Sequence, residues 1–269
     1  MPFKSNAAGL DRSNRLMWIT RDRVFYLGLL GTPSVRAFGA YTIYVAVTGI
    51  LRIRLGHGPW RTTEMAVVPP YEPHQVSTDV RLVNAVSIEA ETVDVQALPP
   101  ELMGRGAVEF PAFVDLVRQR QHELSQRSHT EDLVSMNFDQ TFFGAELEAR
   151  RIDARIAEVL SHIKRHPSAP GSAEEYAKAA HLSFSRFLHL FKEEVAVPFR
   201  SFRTWKRARH LLHYVNRSTN LTDVALDAGY PDSTHFSHAI RKVYGLKPSD
   251  IFAGSRRLSV YGREPSFLC

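Results

Sequence analysis

The stretch from Leu221 to Phe252, LTDVALDAGYPDSTHFSHAIRKVYGLKPSDIF, decides how the C-terminal half of this chain is read. Val224, Ala225 and Ala228 fall at helical spacing, and Gly229 supplies the residue that a tight or left-handed turn needs. A second helical pattern follows, with Phe236, Ile240 and Val243 on one stripe and either Asp232 or Ser233 placed to cap its start. Two helices joined by a short glycine-containing turn make a helix-turn-helix, whose second helix enters the DNA major groove with its N-terminal residues against base edges. Ser233, Thr234, His235 and His238 lie early on that helix and are the candidate base readers, with Ser237 and Arg241 as candidate phosphate contacts. The plainer alternative for all six is an ordinary polar helix face.

A fainter copy of the pattern precedes this one. Sliding the sequence by 49 positions puts Ala180 on Gly229, Phe187 on Phe236, Phe191 on Ile240, Lys192 on Arg241 and Ala196 on Gly245. In this first unit the helix FSRFLHLFKEE, capped by Ser183, is expected to turn Phe184, Phe187, Leu188 and Phe191 towards a core. Ser185, Arg186 and His189 then remain as base readers and Lys192 as a phosphate contact. Ser172 with Glu175 three residues on forms a capping-box pattern for the helix before it, and Pro198 opens a long basic helix running to about Val215.

Charge separates the two halves. Residues 1–150 hold 15 Lys and Arg against 17 Asp and Glu, whereas residues 151–269 hold 19 against 11. Between Pro198 and Thr222 there are six basic residues, among them Arg203, Lys206 and Arg207, and no acidic one. That run either gathers positive potential for a phosphate backbone or is a solvated helix face. On the first reading Arg203, Lys206 and Arg207 are phosphate contacts.

The N-terminal half is built differently. The runs RLMWIT, VFYLGLL, AYTIYVAVTG, ILRIRLG, EMAVVPP and RLVNAVSIEA are rich in Val, Ile, Tyr and Thr and punctuated by Gly and Pro, which predicts a small barrel or sandwich. Aromatic and cationic residues in this region, namely Arg36, Tyr44, Arg52, Arg54, Trp60 and His74, are candidates for holding a planar or acidic small molecule. Against this, Arg52 and Arg54 alternate with Leu51, Ile53 and Leu55 as solvent-facing strand residues do, and His74 fits a turn or core position equally. Helical periodicity appears at Phe113, Leu116, Val117, Arg120 and Leu124, for packing on the barrel or against a second subunit. The expected organisation is α+β with two domains. Residues 1–126 form a cupin-like β-barrel sensor and dimerisation domain followed by helices, 127–147 a linker, 148–257 an all-α domain with two helix-turn-helix units, and 258–269 a tail.

Several function classes recede on composition. No apolar run approaches the ~18 residues that span a bilayer, and the start lacks a signal-peptide pattern, so a cytoplasmic protein is expected. The one cysteine is Cys269, the last residue, which makes a thiol nucleophile or a multi-cysteine metal site improbable. The barrel region has only the isolated His57 and His74, so neither a metal nor another cofactor is expected.

The run VALDAGYPDSTHFSHAIRKVYGLKPSDIF closely resembles the signature of the AraC/XylS family of bacterial transcription regulators. The matching positions are Val224-Ala225, Gly229-Tyr230, Asp232, Phe236-Ser237, Arg241-Lys242, Gly245 and Pro248, and in the first unit Leu182-Ser183, Phe187, Phe191-Lys192 and the helix containing Arg207. Departures are His238 where arginine is common, Ile240 where phenylalanine is common, Ala196 where glycine is usual, and Leu188 at an often polar position. AVVPPYEPHQV, residues 66–76, resembles the family's cupin-like sensor barrel. The resemblance implies promoter double-stranded DNA, RNA polymerase, a small-molecule effector and a homodimer as partners, and an activator's role. Two alternatives stay open: a constitutive or architectural DNA binder whose barrel only dimerises, and a cupin-type enzyme carrying a DNA-binding tail.

Overall fold

In the computed structural model, residues 15–126, 133, 135–216 and 220–262 are described. The N-terminal part is sheet-rich and the C-terminal part helical. All six apolar runs are strands: β1 Arg15–Ile19, β2 Arg23–Leu29, β3 Ala40–Ala46, β4 Leu51–Leu55, β6 Met65–Val68 and β8 Leu82–Glu89. Three short strands complete this region, β5 Arg61–Thr63, β7 His74–Thr78 and β9 Gly106–Val108. With a last strand, β10 Leu258–Tyr261, they assemble into a sheet ordered β10-β1-β2-β8-β3-β6-β9 and a smaller one ordered β5-β4-β7. Tyr44, Leu51, Ile53, Val68, Val76 and Val83 pack in one apolar cluster between the two sheets, filling the barrel interior with side chains.

Strand alternation sends the other face of the large sheet into a second core. Tyr41, Ile43 and Val45 of β3 and Val86 and Ile88 of β8 meet Phe113, Val114, Val117 and Leu124 of helix α1, Pro111–Gln126. The apolar stripe of α1 thus packs on its own sheet, with Leu116 half-buried. The segment expected as a bare linker also holds structure. Helix α2, Phe138–Phe143, places Phe138 4.9 Å from Trp18 and Phe142 4.9 Å from Phe25, ring centre to ring centre. Arg23 of β2 grips Asp139 through both carboxylate oxygens, at 2.7 and 3.0 Å.

Seven helices follow: α3 Ala154–Arg165, α4 Ala173–Ala179, α5 Phe184–Val195, α6 Phe199–His210, α7 Leu221–Asp227, α8 Ser233–Tyr244 and α9 Pro248–Ser255. The first unit, α3 to α5, has a core of its own in which Ile156, Ile163, Phe187 and Phe191 meet Phe199 and Phe202 from the first half of α6. The second unit, α7 to α9, does not. Its Val224, Phe236, Ile240 and Val243 share one cluster with Trp205 and Ala208 of α6 and with Met17, Ile19, Val24 and Ala40 of the sheet-rich part. The chain then returns to that part as β10, Leu258–Tyr261, which pairs in parallel with β1 in the register Arg15↔Leu258 to Trp18↔Tyr261. Residues 258–261, expected as a tail, are an edge strand of the N-terminal sheet.

Candidate DNA interface and its attachment to the N-terminal sheet

Each unit closes the turn before its reading helix in the same way. In the second, Gly229 takes a left-handed φ of 74°, and the Tyr230 N–H donates to the Ala225 carbonyl, closing the turn. In the first, the left-handed residue is His181, φ 53°, and the Leu182 N–H donates to Ala177. His181 and Gly229 are 48 positions apart, whereas the caps Ser183 and Asp232 are 49 apart, so the second turn carries one extra residue before its reading helix. The expected match of Ala180 with Gly229 shifts accordingly. A Cβ on Gly229 would stand 2.4 Å from the Ser168 carbonyl oxygen. Gly229→Ala is expected to lower stability by about 2 kcal/mol through left-handed strain and displaced backbone; an unchanged urea midpoint would contradict this.

The reading helices are capped as their sequences predict. The Ser183 hydroxyl accepts from the Arg186 N–H at the head of α5. The Asp232 carboxylate accepts from the Thr234 and His235 N–H groups at 2.8 Å and from His235 Nδ1 at 2.7 Å at the head of α8. Phe187, Leu190 and Phe191 are buried on α5, and Phe236, Ile240 and Val243 on α8. Ser185, Arg186, His189 and Lys192 are exposed, as are Ser233, Thr234, His235, His238 and Arg241, with Ser237 and Arg207 half-buried. Phe184 departs from expectation: it is 45% exposed at the first position of α5, while Leu182 packs on the core from just outside the helix.

Two of the candidate phosphate contacts are placed elsewhere. Arg203 is buried with its guanidinium over the Tyr176 ring, donating to the Tyr176 hydroxyl at 2.9 Å and the Ala169 carbonyl at 2.8 Å. Lys206 is buried against the N-terminal sheet, paired with Glu89 and, at 2.7 Å, with Glu91. Both are corrected to packing roles in this arrangement, because their charges are already neutralised or hydrogen-bonded away from solvent. Around Lys206 lies a cluster that the charge count concealed. Arg209 pairs with Glu89 at 2.7 Å, the Trp205 indole N–H donates to Glu89 at 2.8 Å, and Lys164 joins Glu91 at 3.0 Å to Asp22 at 2.7 Å. Burial works to raise the Glu91 carboxyl, but Lys206 and Lys164 overcome it and hold it at about 2. Burial likewise works against the Lys206 ammonium, and Glu89 with Glu91 raises it above its ordinary value. The sequence signal was present but weak: Glu89 is the one charged residue of its strand.

The six effector candidates divide between two places. Arg36 and His74 form a β-bridge, and the Tyr44 hydroxyl lies 2.9 Å from His74 Nε2, all three residues being buried. His74 Nδ1 is 2.8 Å from the Glu72 carbonyl, which can only accept, so Nδ1 carries the proton and Nε2 accepts from Tyr44. Burial pushes the His74 imidazole down to about 4 and the Tyr44 phenol up to about 12. Arg52 and Arg54 stand instead on β4, the central strand of the small sheet, and Trp60 lies just before its edge strand β5. The Arg54 guanidinium lies over the Trp60 ring at 5.2 Å and bonds Gln75, and the exposed Arg52 stands 3.6 Å from Asp79. The inner group reaches the second unit directly, since the Ala37 N–H, next to Arg36, donates to the Val243 carbonyl of α8 at 3.0 Å. Gly245, just beyond, has room for no Cβ, which would stand 2.6 Å from the Val35 carbonyl oxygen.

Two capped reading helices on one polypeptide, with polar starts exposed and apolar sides buried, define a DNA-binding protein of the double helix-turn-helix kind. The chain matches, over residues 176–254, a family model described as a helix-turn-helix domain. It is 31% identical over 110 residues, 40% of its length, to the HTH-type transcriptional activator RhaS of Klebsiella pneumoniae (strain 342), and that alignment spans 39% of the relative. RhaS of Escherichia fergusonii is 28% identical over 151 residues, 51% of this chain and 54% of that protein. Fold similarity extends further than sequence. An apo variant of ToxT from Vibrio cholerae strain SCE256 superposes with a TM-score of 0.57 at 11% identity, over 87% of this chain and 97% of that one. Among the described residues no helix is long and apolar enough to cross a membrane, and no group of three or more His, Cys, Asp or Glu is placed to hold a metal ion.

Proposed function

We propose that this regulator is an activator in the cytoplasm, that it binds promoter DNA as a homodimer and contacts RNA polymerase, and that its N-terminal sheets sense a small molecule. The carrying observation is the exposure of Ser185, Arg186 and His189 on α5 and of Ser233, Thr234, His235 and His238 on α8, the base readers of this proposal. Lys192, Arg207, Ser237 and Arg241 remain as its phosphate contacts. The activator's role is supported by the names of the RhaS relatives. No enzymatic step is assigned to any of these groups.

In a gel-shift titration on promoter fragments, log affinity should fall against log salt with a slope of about −5 if Lys192, Arg207 and Arg241 of both subunits each neutralise one phosphate. Binding that is absent or indifferent to salt would reject the reading. For sensing, the inner group is favoured over the Arg54 and Trp60 pair, because Arg36 sits beside the backbone bond to α8. One solved ToxT structure, similar in fold with a TM-score of 0.53 at 11% identity over 87% of this chain and 95% of that one, is bound to an unsaturated fatty acid. That supports looking for an acidic ligand here. A melting-temperature screen with aromatic and aliphatic carboxylates and their matched alcohols tests it: a carboxylate ligand should raise the melting point, and Arg36→Met should abolish the rise.

A further inference from the structure

Phe184 is out of place for a residue of its kind. The neighbouring phenylalanines of the first unit, Phe187, Phe191, Phe199 and Phe202, are buried in one core, with ring centres 5.2 to 5.9 Å apart in the contacting pairs. Phe184 stands 45% exposed, one residue after the cap Ser183, and the next two residues, Ser185 and Arg186, are exposed beside it. Helix geometry explains its release from the core. Phe184 follows the apolar stripe of α5, but it lies at the tip, where Leu182 already packs on the core from outside the helix. The cap-to-cap spacing of 49 makes Ser233 its counterpart in the second unit, both being first residues of their helices.

We propose that Phe184 is a base-reading residue of the first unit and that it recognises the C5-methyl group of a thymine. This rests on the DNA-reading function proposed above. The N-terminal end of a reading helix is the part that meets base edges, and the thymine methyl is the apolar group the major groove presents. Flanking cations at Arg186 and Lys192 make the surroundings fit a duplex. The two units then read by different chemistry at the same helix position. The first selects a methyl group through an aromatic ring, and the second offers a hydroxyl at Ser233.

The test uses the full chain and duplexes selected by it from a random DNA library. Each thymine in the selected site is replaced in turn by deoxyuridine, which removes the methyl and nothing else. At one thymine in the half-site of the first unit, affinity should fall about fourfold, the worth of one buried methyl group. Phe184→Ala should bind the two duplexes alike and accept other bases at that position, Phe184→Leu should keep part of the preference, and both should melt like the parent because the site is exposed. Parent protein indifferent to every replacement, or Phe184→Ala with the parent's fourfold loss, overturns the inference alone. Selection of no duplex overturns the DNA-reading function and this inference with it.

Discussion

Glu89→Ala is expected to lower the unfolding free energy by about 3–5 kcal/mol, the range for removing one partner of a buried ion pair. The carboxylate accepts from Lys206 and the Trp205 indole and is ion-paired with Arg209, and its side chain is 2% exposed. Removing it leaves Lys206 with Glu91 alone and Arg209 with backbone carbonyls, among them Thr20 at 2.7 Å. The cost arises because desolvation of the two cations continues after their main counter-charge has gone. A double replacement, Glu89→Leu with Lys206→Met, removes one charge of each sign and is expected to recover much of the loss, since an apolar pair of similar volume often matches a buried ion pair. Urea denaturation at pH 7 measures both. A loss under 1 kcal/mol for Glu89→Ala would mean that the cations find other partners or water without reorganising the interface.

Acidification is expected to weaken the fold in two stages. Burial depresses both His74 and His210 to about 4, from an ordinary value of 6.5. Between those limits the unfolded chain binds protons that the native protein refuses, so stability rises with pH there and is fully present above about 6.5. As pH falls from 6.5 to 4, each imidazole withdraws about 3 kcal/mol. Below 4.5 a second loss begins, because Glu91, held at about 2 by Lys206 and Lys164, resists the proton that its unfolded counterpart takes up. The unfolding free energy followed by urea titration from pH 7 to pH 4 should therefore drop steeply. His74→Gln and His210→Gln should each flatten that slope. A flat profile in the parent would show that both imidazoles find room for a charge in the native state.

Much of this was legible before any coordinates. Five strands of the large sheet and the central strand of the small one announce themselves as β-branched and aromatic runs, and both reading helices by their caps and apolar stripes. What was not legible depends on partners far along the chain. Arg203 and Lys206 look like solvated charge because their own helix holds no acid, and the carboxylates that pair with Lys206 come from Glu89 and Glu91, more than a hundred residues earlier. The strand LSVY at 258–261 has no local turn to reveal it, since its partner is the first described strand. Phe184 misled for the opposite reason: periodicity assigns a face to every residue of a helix, but the tip of a helix has less core beneath it. His181 was passed over as the left-handed residue because a histidine there carries none of glycine's advertisement.

The parallel pairing of β1 with β10 sets a clock on the ribosome. Strand β1 is among the first described elements to emerge and its edge partner, Leu258–Tyr261, the last. At about 5–20 residues per second, the intervening chain takes roughly 10–50 s to be made. For that interval β1 has β2 on one side and an unpaired edge on the other, the kind of edge that recruits stray strands. Met17 and Ile19 wait with it, because the apolar side chains that cover them arrive with the second reading unit. The nascent N-terminal sheet is thus exposed to aggregation until the DNA-reading helices have been synthesised, and a chain stopped before Leu258 leaves that edge open for good.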